Sequence, residues 1–99
     1  MAKPLERKIE LQCVEHARKL GGLGLKFTSP GVRGVPDRVF MLPGIGTFFV
    51  EFKRPGFKAT KLQLIIHKRM RAAGAHVYVI DSFEDFLLLL TGDANADTT

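Results

Sequence analysis

Apolar residues recur at helical spacing along the first twenty positions. Leu5, Ile9, Cys13, Ala17 and Leu20 fall on one stripe with polar residues between them, which predicts an amphipathic helix from Pro4 to Leu20. Pro4 suits a first helical turn, and Gly21-Gly22 ends the helix. Leu23 to Thr28 then reads as a strand. Asp37 to Leu42 and Thr47 to Lys53 are two further strands around Pro43-Gly44-Ile45-Gly46, the pattern of an antiparallel hairpin. Pro55 ends the second of these strands because it cannot donate to a ladder. Thr60 is placed to cap a helix that runs to about Ala73, with Leu62, Ile65, Ile66, Met70 and Ala73 as its inner stripe and Gly74 as its stop. His76 to Ile80 follows the helix directly, so it should lie parallel to the strand carrying Glu51. Ser82-Phe83-Glu84-Asp85 resembles a capping box and opens a last helix. Its Phe83, Phe86, Leu87, Leu89 and Leu90 are apolar on most sides, a surplus that either packs internally or meets a second copy.

The element order is therefore α-β-β-β-α-β with a closing helix, an α/β fold with a mixed central sheet flanked by helices. Residues 1–91 are expected to form one domain. Residues 92–99, small, polar and acidic, are expected to be a disordered tail. No internal repeat is present.

Composition narrows the class. An apolar fraction of 45% over 99 residues is ordinary for one small globular domain with a thin core. The net charge of +5 favours a polyanion partner, DNA or RNA before a membrane. The single cysteine, Cys13, excludes an internal disulfide and a cysteine zinc site and reads as a small core residue. His16, His67 and His76 fit no metal spacing. The charged N-terminus is unlike a signal peptide, and the apolar run from Phe86 to Leu90 is too short to span a bilayer. A cytoplasmic location is expected, with no membrane partner and no small-molecule cofactor.

Charge patterning points to a site. Between Glu15 and Asp81 the only carboxylates are Asp37 and Glu51; every other charged residue there is Lys or Arg. Strand alternation points Phe48, Val50 and Phe52 to one face and Glu51 and Lys53 to the other. The hairpin brings Asp37 and Glu51 together near one end. Two carboxylates at one point repel each other and invite a hard cation such as Mg²⁺, which can activate water and stabilise charge on a phosphodiester. Lys53 beside them could position that water or neutralise developing charge. The loop Ser29-Pro30-Gly31-Val32-Arg33-Gly34 borders the site and could approach a phosphate through its backbone, or it is a plain connector. Lys58, Lys61, Lys68, Arg69 and Arg71 make a basic band, suited to sequence-blind affinity for nucleic acid.

Gly34-Val35-Pro36-Asp37, then Glu51-Phe52-Lys53, then Gln63 on the following helix, resembles the PD-(D/E)xK nuclease superfamily. Within it the chain is most similar to the VRR-NUC (virus-type replication-repair nuclease) family, in its minimal, stand-alone phage or bacterial form. The Leu20-Gly21-Gly22, Lys26-Phe27, Ser29-Pro30-Gly31 and Val79-Ile80-Asp81 segments share that resemblance, which runs from about Ile9 to Leu90. It implies a restriction-endonuclease-like core and a Mg²⁺- or Mn²⁺-dependent deoxyribonuclease. Asp37, Glu51 and the backbone carbonyl of Phe52 would hold the metal, Lys53 would act on the water, and Gln63 would touch a phosphate or metal-bound water. A glutamate of the first helix would complete the shell: Glu10 is the choice, then Glu6, then Glu15. Ser29, Arg33, Arg38, Arg54, Lys58 and Lys61 are the expected nucleic-acid contacts. The resemblance also implies a homodimer acting on branched DNA, in the manner of Holliday-junction resolvases in DNA repair. A non-catalytic nucleic-acid-binding module and a less selective DNA nuclease are the alternatives.

Overall fold

The structure, a computed structural model, describes residues 5–92. The expected N-terminal turn at Pro4 and most of the expected tail, residues 93–99, lie outside the described residues. The elements run α1 (Leu5–Lys19), β1 (Leu23–Lys26), β2 (Arg38–Leu42), β3 (Gly46–Phe52), α2 (Lys61–Ala72), β4 (Val77–Ile80) and α3 (Phe83–Leu90). The sheet order is β1-β2-β3-β4. β1, β2 and β3 pair antiparallel, and β4 pairs parallel to β3 after the α2 crossover, as expected for a mixed sheet.

Local chemistry explains the breaks. α1 closes with the Gly22 amide donating to the Ala17 carbonyl and the Gly21 amide to Arg18, with Gly21 at φ +85. That is a Schellman motif, which needs a left-handed residue at this point. α2 ends the same way through Ala75 to Met70 and Gly74 to Arg71. Between β2 and β3 the Ile45 amide donates to the Leu42 carbonyl, with Pro43 and then Gly44 at φ +77 in the centre. Proline followed by a positive-φ glycine is the signature of a type II turn.

The core lies between the sheet and the pair α1 and α3. Ile9, Cys13 and Ala17 meet Phe40, Phe48, Val50, Phe52, Ile80, Phe86 and Leu89 there. The rings of Phe40 and Phe48 stack at 5.5 Å. Cys13 is wholly enclosed, and burial, with the charge of Glu10 adding to it, pushes its thiol up to about 12. It is a packing residue rather than a nucleophile.

Two expected stripes shift. In α1, Leu5 and Leu20 are exposed, because the sheet covers only the middle turns. In α2 the inward face is Gln63, Ile66, His67 and Met70, while Ile65 and Ala73 are exposed and Leu62 is only partly covered, with one side against the Gly34 loop. The helix is rotated so that its first-turn glutamine meets β3, and that rotation leaves Ile65 largely in solvent. The apolar surplus of α3 is largely answered by burial: Phe86 and Leu89 are buried, and Phe83 and Leu90 pack against the core. Among the described residues no helix is long and apolar enough to cross a membrane.

Candidate active site

The hairpin register pairs Arg38 with Val50. One step further along, Asp37 faces Glu51, and strand alternation puts both on the side of the sheet that α2 covers. The Phe52 amide donates to Asp37 Oδ2 at 2.9 Å. The amide and carbonyl of one strand residue point to the same side, so the Phe52 peptide borders Asp37. Glu51 is 4% exposed. Lys53 Nζ lies 3.4 Å from Glu51 Oε2, and Gln63 Nε2 donates to the same oxygen at 3.0 Å. The structure thus brings Asp37, Glu51, Phe52, Lys53 and Gln63 to one end of the hairpin.

Gln63 is fixed at both ends of its amide. Its Oε1 accepts from the Thr60 backbone N–H at 2.9 Å, and the Gln63 backbone N–H donates back to Thr60 Oγ1 at 3.2 Å, closing a capping box. The cap that starts α2 therefore also aims the Gln63 amide nitrogen at Glu51.

The charge at this point is poorly compensated. Burial, then the neighbouring Asp37 charge, push the Glu51 carboxyl up to about 7, against the opposing pull of Lys53 and Gln63. Asp37 keeps an exposed edge, yet surrounding protein desolvates it enough to raise its pKa above the usual aspartate value. The Phe52 amide opposes that rise, the Glu10 charge adds to it, and Lys53 and Arg38 oppose it. Glu51 Oε1 is buried with no hydrogen-bond partner among the described residues. An orphaned carboxylate oxygen, a second acid beside it and a strand carbonyl form a hard, oxygen-only donor set. These residues fit a divalent cation of the Mg²⁺ type.

The first-helix acid stands differently from the expectation. Glu10 Oε2 accepts from Arg38 Nε at 2.6 Å, and Glu10 Oε1 lies 3.5 Å from Arg7. Arg38 also donates to the Gly24 carbonyl at 3.0 Å. Arg38 is 8% exposed, so it is turned into the protein rather than outward to a phosphate. Its place follows from alternation: Arg38, Phe40 and Leu42 share the α1 face of β2, and the residue at the end of that row needs a buried partner. That signal was present in the sequence. Glu10 is near enough to act on the Asp37 charge, but no three His, Cys, Asp or Glu side chains converge as a metal cluster among the described residues. Glu6, one turn earlier, has a buried Oε2 with no partner among the described residues. Glu15 is spent on Arg18 at the surface.

The other expected contacts are Ser29, Arg33, Arg54, Lys58 and Lys61. Arg33, Arg54, Lys58 and Lys61 are exposed, and Ser29 is half-buried. The Arg54 guanidinium lies 4.9 Å from the centre of the Phe57 ring, a cation–π contact within the loop after β3. Gly34 brings the 28–35 loop onto α2. It sits at φ +90, and a Cβ there would come within 3.1 Å of the Leu62 carbonyl and 3.2 Å of Ile66. His67 was not expected inside. It is fully enclosed, neither ring nitrogen makes a well-formed hydrogen bond, and burial, then Arg71 and Lys53, pull it down to about 4. The nearby Gly34 backbone favours its protonation only weakly.

This is the arrangement of a nuclease-type α/β fold, with paired acids and a lysine at the end of a central hairpin. A solved structure of a VRR_NUC domain superposes with a TM-score of 0.80 at 34% identity, over 90% of this chain and 97% of that one. A protein of Acyrthosiphon pisum secondary endosymbiont phage 1 named "Putative nuclease p44" is 51% identical over 77 residues, 78% of this chain and 83% of that protein. No family model matches the chain. On these similarities the chain belongs to the VRR-NUC family.

Proposed function

We propose that this protein is a metal-dependent endonuclease that hydrolyses DNA phosphodiester bonds. The observation that carries this reading is Glu51: a buried carboxylate with one oxygen unpartnered, a second acid opposite it, and Lys53 at 3.4 Å. A nucleic-acid binder gains nothing from acids placed where phosphates must lie. The phage relative's nuclease name and the VRR_NUC likeness support the same activity. Asp37, Glu51 and the Phe52 carbonyl would hold Mg²⁺ or Mn²⁺, with Glu10 or Glu6 able to complete the shell. The bound ion would supply charge stabilisation at the phosphate and a more acidic water.

The chain's own residues do the rest. Lys53 orients the attacking water and neutralises charge as the phosphorus becomes five-coordinate. Gln63, locked by its cap, holds Glu51 in place. Water attacks phosphorus in line and gives up a proton to solvent, the P–O3′ bond breaks, the 3′-oxygen takes up a proton from solvent as a hydroxyl, and the product carries a 5′-phosphate. Arg33, Arg54, Lys58 and Lys61 supply phosphate contacts.

The reading extends to branched DNA cut by a homodimer, which puts two sites on two strands. One surface that would support pairing is on β1. Leu23 and Leu25 project from the outer face of the edge strand at 53% and 46% exposure, two neighbouring apolar side chains that a second copy would cover.

The test incubates labelled four-way junction, linear duplex and single strand with protein in Mg²⁺, Mn²⁺ or EDTA. Wild type is expected to nick the junction in pairs only with metal. Asp37→Ala and Lys53→Ala should each lose at least about 100-fold in rate, the scale of removing one charge-stabilising group. Metal-dependent cutting of every substrate would remove the branch preference. Tight binding without cutting in either metal would sink the nuclease reading.

A further inference from the structure

An open groove of about 360 Å³ runs between the 28–35 loop and α2. Phe27, Val32, Val35, Ile66 and Met70 make it mostly apolar, on a protein of net charge +5. It is built rather than incidental. Gly34 fits the loop against Leu62 and Ile66 with no room for a side chain, and Phe27 is braced edge-on by Phe49 at 5.0 Å. Both walls of the groove lead along the chain to the candidate site. Val35 is two residues from Asp37. On α2, Gln63 and Met70 are seven positions apart, a rise of about 10 Å, roughly the axial length of three stacked nucleotides.

Its polar groups select an occupant. Arg69 lines the groove, and its guanidinium makes no ion pair or hydrogen bond among the described residues. No acid lies along either wall, since Asp37 and Glu51 are the only carboxylates between Glu15 and Asp81. An apolar slot with an unspent cation beside it matches a flat ring that carries a phosphate. We propose that this groove receives one unstacked nucleobase of the strand being cut, with Arg69 on that nucleotide's phosphate. The inference rests on the nuclease reading and deepens it. A substrate would have to release a base next to the scissile bond, which branch points and single strands do cheaply and intact duplex does not.

The experiment substitutes 2-aminopurine, which brightens when unstacked, at successive positions around the branch or cut. Binding is followed in EDTA, so no cutting is needed. Fluorescence is expected to rise several-fold at one position within about three nucleotides of the cut. Ala73→Phe, at an exposed position on the groove edge, should fill the slot and abolish the rise. Arg69→Ala should weaken binding several-fold and lower the salt slope by about one. Fluorescence at the duplex level at every position, or an unchanged rise in Ala73→Phe, would overturn the groove assignment. The two readings fail separately: a rise without cutting in any metal removes the nuclease and keeps the groove, whereas cutting without a rise keeps the nuclease and removes the groove.

Discussion

Glu51 and His67 are two buried titratable side chains with opposite effects on stability. The Glu51 carboxyl is pushed from an ordinary 4.5 up to about 7, so the folded state favours its protonated form. Stability from that group is full below about pH 4.5 and is lost as the pH rises towards 7. His67 is pulled from 6.5 down to about 4, so the folded state favours its neutral form. That stability is full above pH 6.5 and is lost as the pH falls towards 4. Each slope approaches about 1.4 kcal/mol per pH unit inside its window, and between roughly pH 4.5 and 6.5 the two oppose each other. Glu51→Gln should therefore be more stable than wild type at pH 7 and above, and its urea midpoint relative to wild type should climb with pH between about 4.5 and 7. His67→Leu should show the mirror image, a relative midpoint that falls as the pH rises from about 4 to 6.5. Denaturation curves across that range decide it; variants that track the wild-type profile would mean that neither side chain is strained by burial. The stabilised Glu51→Gln protein should also be inactive, since the strain resides in the candidate active site.

At the scale of elements, the start of α2 and the loop before β2 do more than connect. Thr60 and Gln63 cap the helix, and the same Gln63 amide holds Glu51. The Gly34 backbone lets the loop settle on α2 and deliver Asp37 opposite Glu51. Gly34→Ala is expected to cost about 1–2 kcal/mol, because it adds a positive-φ penalty to a tight contact with the Leu62 carbonyl. Its activity should fall further than its stability does, since the displaced loop carries Asp37. Thermal unfolding beside single-turnover cutting reads both; a loss of stability with unchanged cutting would show that the loop does not position the acid.

At the scale of the whole fold, one side of the sheet is packed by α1 and α3. On the other side, α2 and the loop cover the β3 and β4 half, and Leu23 and Leu25 are left open on β1. If two copies pair there, Leu25→Lys should shift the protein to monomers with no loss of fold, because the position touches no core residue. Sedimentation velocity, with circular dichroism as the folding control, tests this. A monomeric wild type, or a variant that still dimerises, would remove β1 as the pairing surface.

The sequence by itself determined the element order, the hairpin and the pairing of Asp37 with Glu51. These follow from local rules: alternation along a strand, glycine and proline at turns, and a capping residue before a helix. Only two acids in a long basic stretch also made the site conspicuous without any coordinates. What it left open were orientations that several elements settle together. The rotation of α2 was misjudged because Leu62 and Ile65 look like core residues, yet the helix turns to bring Gln63 to Glu51 and seals in His67 instead. The charge of Arg38 suggests a surface contact to phosphate, whereas its place on the α1 face of β2 gives it Glu10 and the Gly24 carbonyl. The groove beside Asp37 is likewise a product of tertiary packing. Its walls are distant in sequence, and their meeting depends on how closely the Gly34 backbone approaches a helix formed thirty residues later. Local periodicity can say which residues are apolar, but only packing decides which of them stay in water.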